Sequence, residues 1–266
     1  MKHLFSEWDK VKEKVRGRRV YLFLDYDGVL APLASTPEKP FIPKEVKALL
    51  RRLSEKPEYR IAVISGREIK YIMKKVGLKG IVYSGNHGLQ IEGPKIKFEA
   101  PVSRRYRTDL GEIKERLEKG LSSVKGAFVE YKNLSLSLHY RLVGRRDISH
   151  VKAVFGKTVR PYLAKKRVKV NTGKMLLEVR PPSAWDKGRA VLRLLAKERA
   201  GRTVPIYIGD DETDEDAFRV LKDKGITVFV GKPKPSYARY YLKDTDEVKE
   251  FLKRLYAGRD KGKRAV

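Results

Sequence analysis

Apolar positions along the first hundred residues switch between two periods. Leu4, Trp8, Val11 and Val15 recur at spacings of four, three and four, which predicts an amphipathic helix before the first strand. Tyr21-Leu22-Phe23-Leu24 is an unbroken apolar run, the pattern of a strand buried on both faces, and it stops at Asp25. The proline-rich stretch Ala31 to Pro43 predicts a loop, and Pro43 is placed to open a helix through Val46, Leu49, Leu50 and Leu53. A second apolar strand runs from Arg60 to Ser65. A helix with Ile69, Ile72, Met73 and Val76 follows, then a short strand over residues 80–84. Strand and helix in turn imply an α/β fold with parallel pairing and helices on the sheet faces.

The pattern changes after residue 102. Leu110, Ile113 and Leu117 mark an amphipathic helix, and Ile148, Val151, Val154, Phe155 and Val159 mark another. Ala127 to Lys132 and Leu134 to Tyr140 alternate as half-buried strands do, with Asn133 at the turn between them. Val168 to Val170 and Met175 to Val179 read as a hairpin turning at Thr172-Gly173. Pro181-Pro182 closes the segment. The expected organisation is a core of residues 1–102 and 182–266, with an antiparallel α+β cap of residues 103–181 inserted and hinges near 101–104 and 181–184. After the cap, helix 187–199, strand 204–209, helix 213–222 and strand 226–230 resume the core pattern. The tail from Gly258 is short and polar and reads as a frayed terminus.

Chemistry gathers where the core strands end. Asp25 and Asp27 lie two apart, on one side of an extended chain. Two such carboxylates repel unless a cation sits between them, so the pair asks for a divalent metal, a lysine, or both. Ser65 ends the second strand, Asp186-Lys187-Gly188 opens a helix, and Asp210-Asp211-Glu212-Thr213-Asp214-Glu215-Asp216 follows the strand that ends at Gly209. Each piece has a plainer reading alone. Lys187 could be a solvated lysine at a helix start, Ser65 a helix cap, and the acidic run a set of charges favouring a helix dipole. The four together, in this order, resemble the haloacid dehalogenase (HAD) superfamily of phosphohydrolases. That resemblance implies a Rossmann-like core with a C2-type cap. It makes Asp25 the nucleophile and Asp27 the general acid and base. Ser65 and Lys187 contact the phosphoryl group. Mg²⁺ is held by Asp25, the Asp27 backbone carbonyl and Asp210, with Asp211 and Asp214 steadying the metal shell and Lys187. Val29 stands where the superfamily often has threonine.

Finer features resemble one family within it. Leu24-Asp25-Tyr26-Asp27-Gly28-Val29-Leu30-Ala31-Pro32, Ile64-Ser65-Gly66-Arg67, Gly85-Asn86-His87-Gly88 and the 209–216 run are similar to trehalose-6-phosphate phosphatases. By that resemblance Glu130, Lys132, Arg141 and Glu178 of the cap bind sugar hydroxyls, Arg67, Asn86 and His87 are further substrate candidates, and a trehalose-phosphate synthase is a possible partner. Glu130 and Lys132 share a strand face, whereas Glu178, between Leu177 and Val179, is a costly place for a lone carboxylate. The plainer reading pairs these residues with one another, such as Glu130 with Arg141. The same chemistry on sucrose phosphate or mannosylglycerate phosphate is the near alternative.

Composition adds one competing class. Lys and Arg number 61 against 33 Asp and Glu, a net charge of +28. Residues 103–180 hold 20 basic and 7 acidic side chains, about twice the charge density of the rest. Such a balance fits a basic nucleic-acid-binding protein, attraction of a phosphorylated substrate, or a charge-rich thermophile surface. No aromatic-interleaved basic motif of the stacking type is present, which argues against nucleic acid. The absence of cysteine excludes disulfides, Cys-zinc sites and thiol catalysis. No run approaches a membrane span and no apolar leader is seen at the N-terminus, so a soluble cytoplasmic protein is expected, and a monomer for want of an exposed apolar run.

Overall fold

A computed structural model describes residues 1–33, 40–173, 175–198 and 201–258. Residues 34–39 of the expected 31–43 loop, residue 199 of the expected 187–199 helix and the tail beyond Gly258 lie outside these residues. The chain divides into two compact units, Met1–Glu99 with Trp185–Val266, and Ala100–Ala184.

The first unit is built on a nine-stranded sheet. In chain order its elements are β1 (Lys2–His3), α1 (Trp8–Val15), β2 (Arg19–Asp25), α2 (Lys44–Ser54), β3 (Tyr59–Ile64), α3 (Ile69–Val76), β4 (Val82–Gly85), β5 (Gln90–Gly93) and β6 (Ile96–Glu99). The second unit supplies α4 (Arg104–Gly120), β7 (Phe128–Tyr131), β8 (Leu136–His139), α5 (Ile148–Ala164), β9 (Lys169–Gly173) and β10 (Leu176–Arg180). The first unit then resumes with α6 (Lys187–Leu195), β11 (Thr203–Gly209), α7 (Glu215–Leu221), β12 (Ile226–Val230), β13 (Tyr240–Leu242) and α8 (Thr245–Ala257). No helix of the described residues is long and apolar enough to cross a membrane.

The large sheet runs in the order β1-β13-β12-β11-β2-β3-β4-β5-β6. Pairing is parallel from β1 to β4 and antiparallel for β5 and β6. Alternate residues of the central strands feed two cores. Leu22, Leu24, Ile61, Val63, Ile206 and Ile208 cluster with α2, α3 and α8, while Tyr21, Phe23, Ala62, Ile64 and Tyr207 cluster with α6 and α7. This period of two, apolar on both phases, is why the strands read as unbroken runs. Leu24 pairs with both Ile208 and Val63, so the three central strands end at one level. The strand order reverses between β2 and β11, where open α/β sheets bind ligands.

The second unit is an antiparallel sheet, β7-β8-β10-β9, backed by α4 and α5. Its apolar face presents Leu136, Leu138, Leu177 and Val179 to the helices. Glu130, Ser137, Glu178 and Asn171 lie in one register row across the four strands. Two sequence expectations need correction here. The β9–β10 turn is not at Thr172-Gly173, because Gly173 still pairs with Leu176, and Met175 takes the left-handed backbone (φ 59°) that closes the turn. Strand β8 ends at His139, so Arg141 is an exposed turn residue and not a strand neighbour of Glu130.

Helix α8, not anticipated above, seals one face through Val248, Phe251, Leu252 and Leu255. Asp244 caps it, accepting from the amides of Asp246 and Glu247 at 3.0 Å each. Phe251 is fully buried with the Trp8 ring edge-on at 5.9 Å. Phe251→Ala is expected to destabilise the protein by about 3–5 kcal/mol, read as a lower urea midpoint at unchanged slope. A midpoint within error of the parent would show that α8 is not part of the cooperative core.

Candidate active site

Four elements deliver polar side chains to the carboxyl edge of the large sheet. Strand β2 ends in Asp25, which is buried. The chain then turns tightly, with Gly28 amide to Ala31 carbonyl at 2.8 Å and Ala31 amide to Tyr26 carbonyl at 2.8 Å. Gly28 is left-handed (φ 76°), and a Cβ there would overlap the Asp210 carboxylate, so glycine is required twice over. Helix α6 begins with Asp186, whose side chain accepts from the Arg189 amide at 2.8 Å, and this cap points the next residue, Lys187, inward. Beyond β11 a helical turn over Glu212–Asp214 is closed by a reciprocal capping box between Asp211 and Asp214.

Lys187 is the centre of the arrangement. Its ammonium is buried, 2.8 Å from Asp25 Oδ2, 2.7 Å from Asp214 Oδ1 and 3.8 Å from Asp211 Oδ1. Asp214 accepts in addition from the Tyr207 hydroxyl at 2.7 Å and from the amides of Asp210 and Asp211 at 3.0 and 3.1 Å. Asp25 Oδ1 accepts from the Tyr26 amide at 2.7 Å. Tyr207 was not singled out from the sequence. The only signal was a hydroxyl inside the apolar run Ile206-Tyr207-Ile208, which needs a buried partner.

The local electrostatics are crowded. Burial pushes Asp25 well above the ordinary carboxylate range, Lys187 pulls it back, and Asp214, Asp211 and Asp210 push it up again. Burial, then Asp214 and Asp211, bring Asp210 up to about 8. Burial also raises Asp214, against the pull of Lys187. Asp211 moves the other way, to about 2: burial opposes ionisation there but is outweighed by Lys187 and the Thr213 hydrogen bond. Burial lowers Lys187, but Asp214 and Asp25 outweigh it and raise the ammonium well above its usual range. Ligand oxygens of Asp25, Asp210 and Asp214 lie within 4.8 Å of one another. A surplus of negative charge on converging oxygens fits a hard divalent cation, and the donor set suits Mg²⁺. Asp214, expected only to steady the metal shell, is thus one of the converging trio.

The remaining expected residues fall as follows. Arg67 grips Asp27 through both oxygens, Nε to Oδ2 at 2.6 Å and Nη2 to Oδ1 at 2.7 Å, with its guanidinium 4.9 Å from the Tyr71 ring. Ser65 is buried at the end of β3, its Oγ accepting from the Arg67 amide at 3.2 Å. Asn86 and His87 are both left-handed, φ 50° and 54°, each a cost of roughly 1–2 kcal/mol that the surroundings must offset. Their amides donate to the carbonyls of Arg67 (2.8 Å) and Ser65 (2.9 Å), which ties this turn to the serine loop.

In the second unit, Lys132 and Glu178 form a buried ion pair at 3.2 Å, and the Ser135 hydroxyl donates to the same Glu178 oxygen at 3.3 Å. Glu178 is therefore not a lone carboxylate. Glu130 lies 3.9 Å from Lys132 and 2.8 Å from His139 Nε2. His139, two residues along β8 from Ser137, is a diagonal cross-strand neighbour of Glu130.

Comparison with known proteins places this geometry. The trehalose-phosphatase family profile matches residues 23–246. A probable trehalose-phosphate phosphatase 4 from Oryza sativa subsp. japonica is 33% identical over 259 residues, covering 94% of this chain and 69% of the relative. Trehalose-phosphate phosphatase B of Arabidopsis thaliana is also 33% identical, over 93% of this chain and 69% of its own length. Among solved structures, the C-terminal domain of C. albicans trehalose-6-phosphate phosphatase superposes with a TM-score of 0.77 at 27% identity, covering 94% of this chain and 96% of that one.

Two measurements test the site's electrostatics. Asp214→Ala leaves Lys187 and Tyr207 without their shared acceptor and is expected to cost about 3–5 kcal/mol, whereas Tyr207→Phe removes one hydrogen bond and costs about 1 kcal/mol. Equal thermal midpoints for the two variants would count against the hub. Asp210, raised to about 8, binds its proton more tightly folded than unfolded, where its pKa is about 3.9. Its stabilising contribution is complete below about pH 4 and lost as pH rises through 8. Mg²⁺ needs the ionised form, so the gain in Tm on adding Mg²⁺ should be larger at pH 8.5 than at pH 6. An equal gain at both would show that no proton on Asp210 competes with the metal between these pH values.

Proposed function

The chain belongs to the trehalose-phosphatase family and is a phosphoric monoester hydrolase; from that premise we propose that it is a Mg²⁺-dependent phosphatase converting trehalose 6-phosphate to trehalose and phosphate through an aspartyl-phosphate. The observation that supports this most directly is the buried Lys187 ammonium on Asp25, beside an acidic trio able to take a cation. A nucleophilic carboxylate must be ionised, and a cation in contact favours that form.

Asp25 attacks phosphorus and forms an acyl phosphate as the bond from phosphorus to the sugar oxygen breaks. Asp27 gives its proton to that oxygen, and trehalose leaves. Water then attacks the phosphorus of the aspartyl-phosphate while Asp27 takes its proton, which frees phosphate and restores Asp25. Arg67 orients the Asp27 carboxyl. Ser65 donates a hydrogen bond to the transferring phosphoryl group, and Lys187 offsets its charge. Asp25, the Asp27 carbonyl and Asp210, with Asp214 adjoining, would hold Mg²⁺, which when bound neutralises phosphate charge.

Glu130, Lys132, Arg141 and Glu178 are assigned to sugar hydroxyls. A buried Lys–Glu pair adds little stability by itself. Its place on the polar face of the cap sheet is better explained by a ligand rich in hydroxyls. Residues 1–102 with 182–266 would act as catalytic core and 103–181 as the substrate-selecting cap.

Phosphate release with Mg²⁺ tests the reading on trehalose 6-phosphate, sucrose 6-phosphate, glucose 6-phosphate and an aryl phosphate. Trehalose 6-phosphate is expected to be preferred, Asp25→Asn to abolish turnover, and Asp27→Asn to lower kcat by about 10²- to 10⁴-fold. Lys132→Met should narrow the preference for trehalose 6-phosphate over the aryl phosphate. Turnover of the aryl phosphate alone would keep the chemistry and discard the substrate.

A further inference from the structure

The chain leaves the first unit after Glu99 and returns to it at Trp185. An aromatic contact joins these two points. Phe98 and Trp185 have ring centroids 4.7 Å apart, and the Arg193 guanidinium lies 3.8 Å over the Phe98 ring. Next to Phe98, Glu99 accepts from Gln90 Nε2 at 2.9 Å. Gln90 in turn accepts from Asn86 Nδ2 at 3.0 Å.

The indole does more than stack. Trp185 Nε1 donates to the carbonyl of Gly88. Gly88 (φ 99°) completes three consecutive left-handed residues with Asn86 and His87. A Cβ on Gly88 would lie 2.6 Å from the Asp186 carbonyl oxygen, so the turn is wedged against the start of the helix that carries Lys187. The turn is thus held from both sides: from the serine loop through the amides of Asn86 and His87, and from the return crossing through Trp185.

We propose that Trp185 is a positioning residue for the sugar phosphate: its indole ties the two chain crossings of the first unit, at Phe98 and Trp185, to the Asn86–Gly88 turn and so sets where Asn86 and His87 meet the substrate. This rests on the proposed function and on the family resemblance that makes Asn86 and His87 substrate candidates. Trp185 itself touches neither the phosphoryl group nor the acidic trio in this account. Its effect should therefore appear in affinity and not in the chemical step.

Only two tryptophans are present, Trp8 and Trp185, and Trp8 packs against Phe5 and Phe251. A Trp8→Phe background therefore leaves a single emitter at the crossing. Orthovanadate with Mg²⁺, at concentrations that inhibit phosphate release, is expected to shift the emission of that emitter saturably. In the parent background Trp185→Phe keeps an aromatic ring against Phe98 but loses the donor. Its KM for trehalose 6-phosphate is expected to rise about tenfold with kcat within about threefold, the size of one lost hydrogen bond. Silent emission under full inhibition would overturn the proposal. So would a Trp185→Phe variant whose kcat and melting temperature fall together at unchanged KM, the mark of a merely structural residue. If the parent does not turn over trehalose 6-phosphate, the substrate reading fails by itself and the emission titration decides this one.

Discussion

The buried ammonium of Lys187 is the constraint around which the core is arranged. Removing a charge from water is expensive, and it is tolerated only with close opposite charges and full hydrogen bonding. Asp25 and Asp214 supply the charges. Tyr207 and two backbone amides complete the shell of Asp214. These groups come from β2, the loop after β11, and α6, so the network can form only when the central strands end level and α6 is capped at Asp186. The fold and the chemistry thus place the same demand on the same few atoms.

That demand also explains the imbalance at the site. One ammonium faces Asp25, Asp214 and Asp211, with Asp210 close behind. The fold raises Asp25 and Asp210 and depresses Asp211 within a few ångströms of one another. Splitting neighbouring carboxyls in this way is a common property of catalytic centres. Asp27 stands apart from the trio, held by Arg67 at both oxygens. The two aspartates that the sequence presents as a matched pair therefore occupy different environments, as two different roles require.

How much was legible follows from the kind of signal each element carries. Strands β2, β3 and β11 are buried on both faces, so their apolar runs and the polar residues that end them stand out in the sequence. Lys187 was legible because a helix pattern starts directly after it. The stripe Val248, Phe251, Leu252 and Leu255 behind Asp244 carries a helix signal of the same kind. Strands β1 and β13 are two and three residues long, too short for a period. β5 and β6 mix charged and apolar residues because they lie at the antiparallel edge. Arg141 lies off the strand because β8 stops at His139, and the place where a strand ends is set by tertiary pairing. The roles of Tyr207 and Trp185 rest on contacts with residues distant in the chain or around a turn, which periodicity does not encode.

The ring contact between Phe98 and Trp185 has an evolutionary reading. It places the departure and return of an 85-residue insertion side by side on one body. A segment whose ends already meet adds a closure cost to its host that grows only slowly with its length. It can be lengthened, shortened or exchanged without asking the host sheet to rearrange. If the insert selects the substrate, as proposed above, recognition and reaction can diversify at separate rates, with the carboxylates and lysine of the host inherited unchanged.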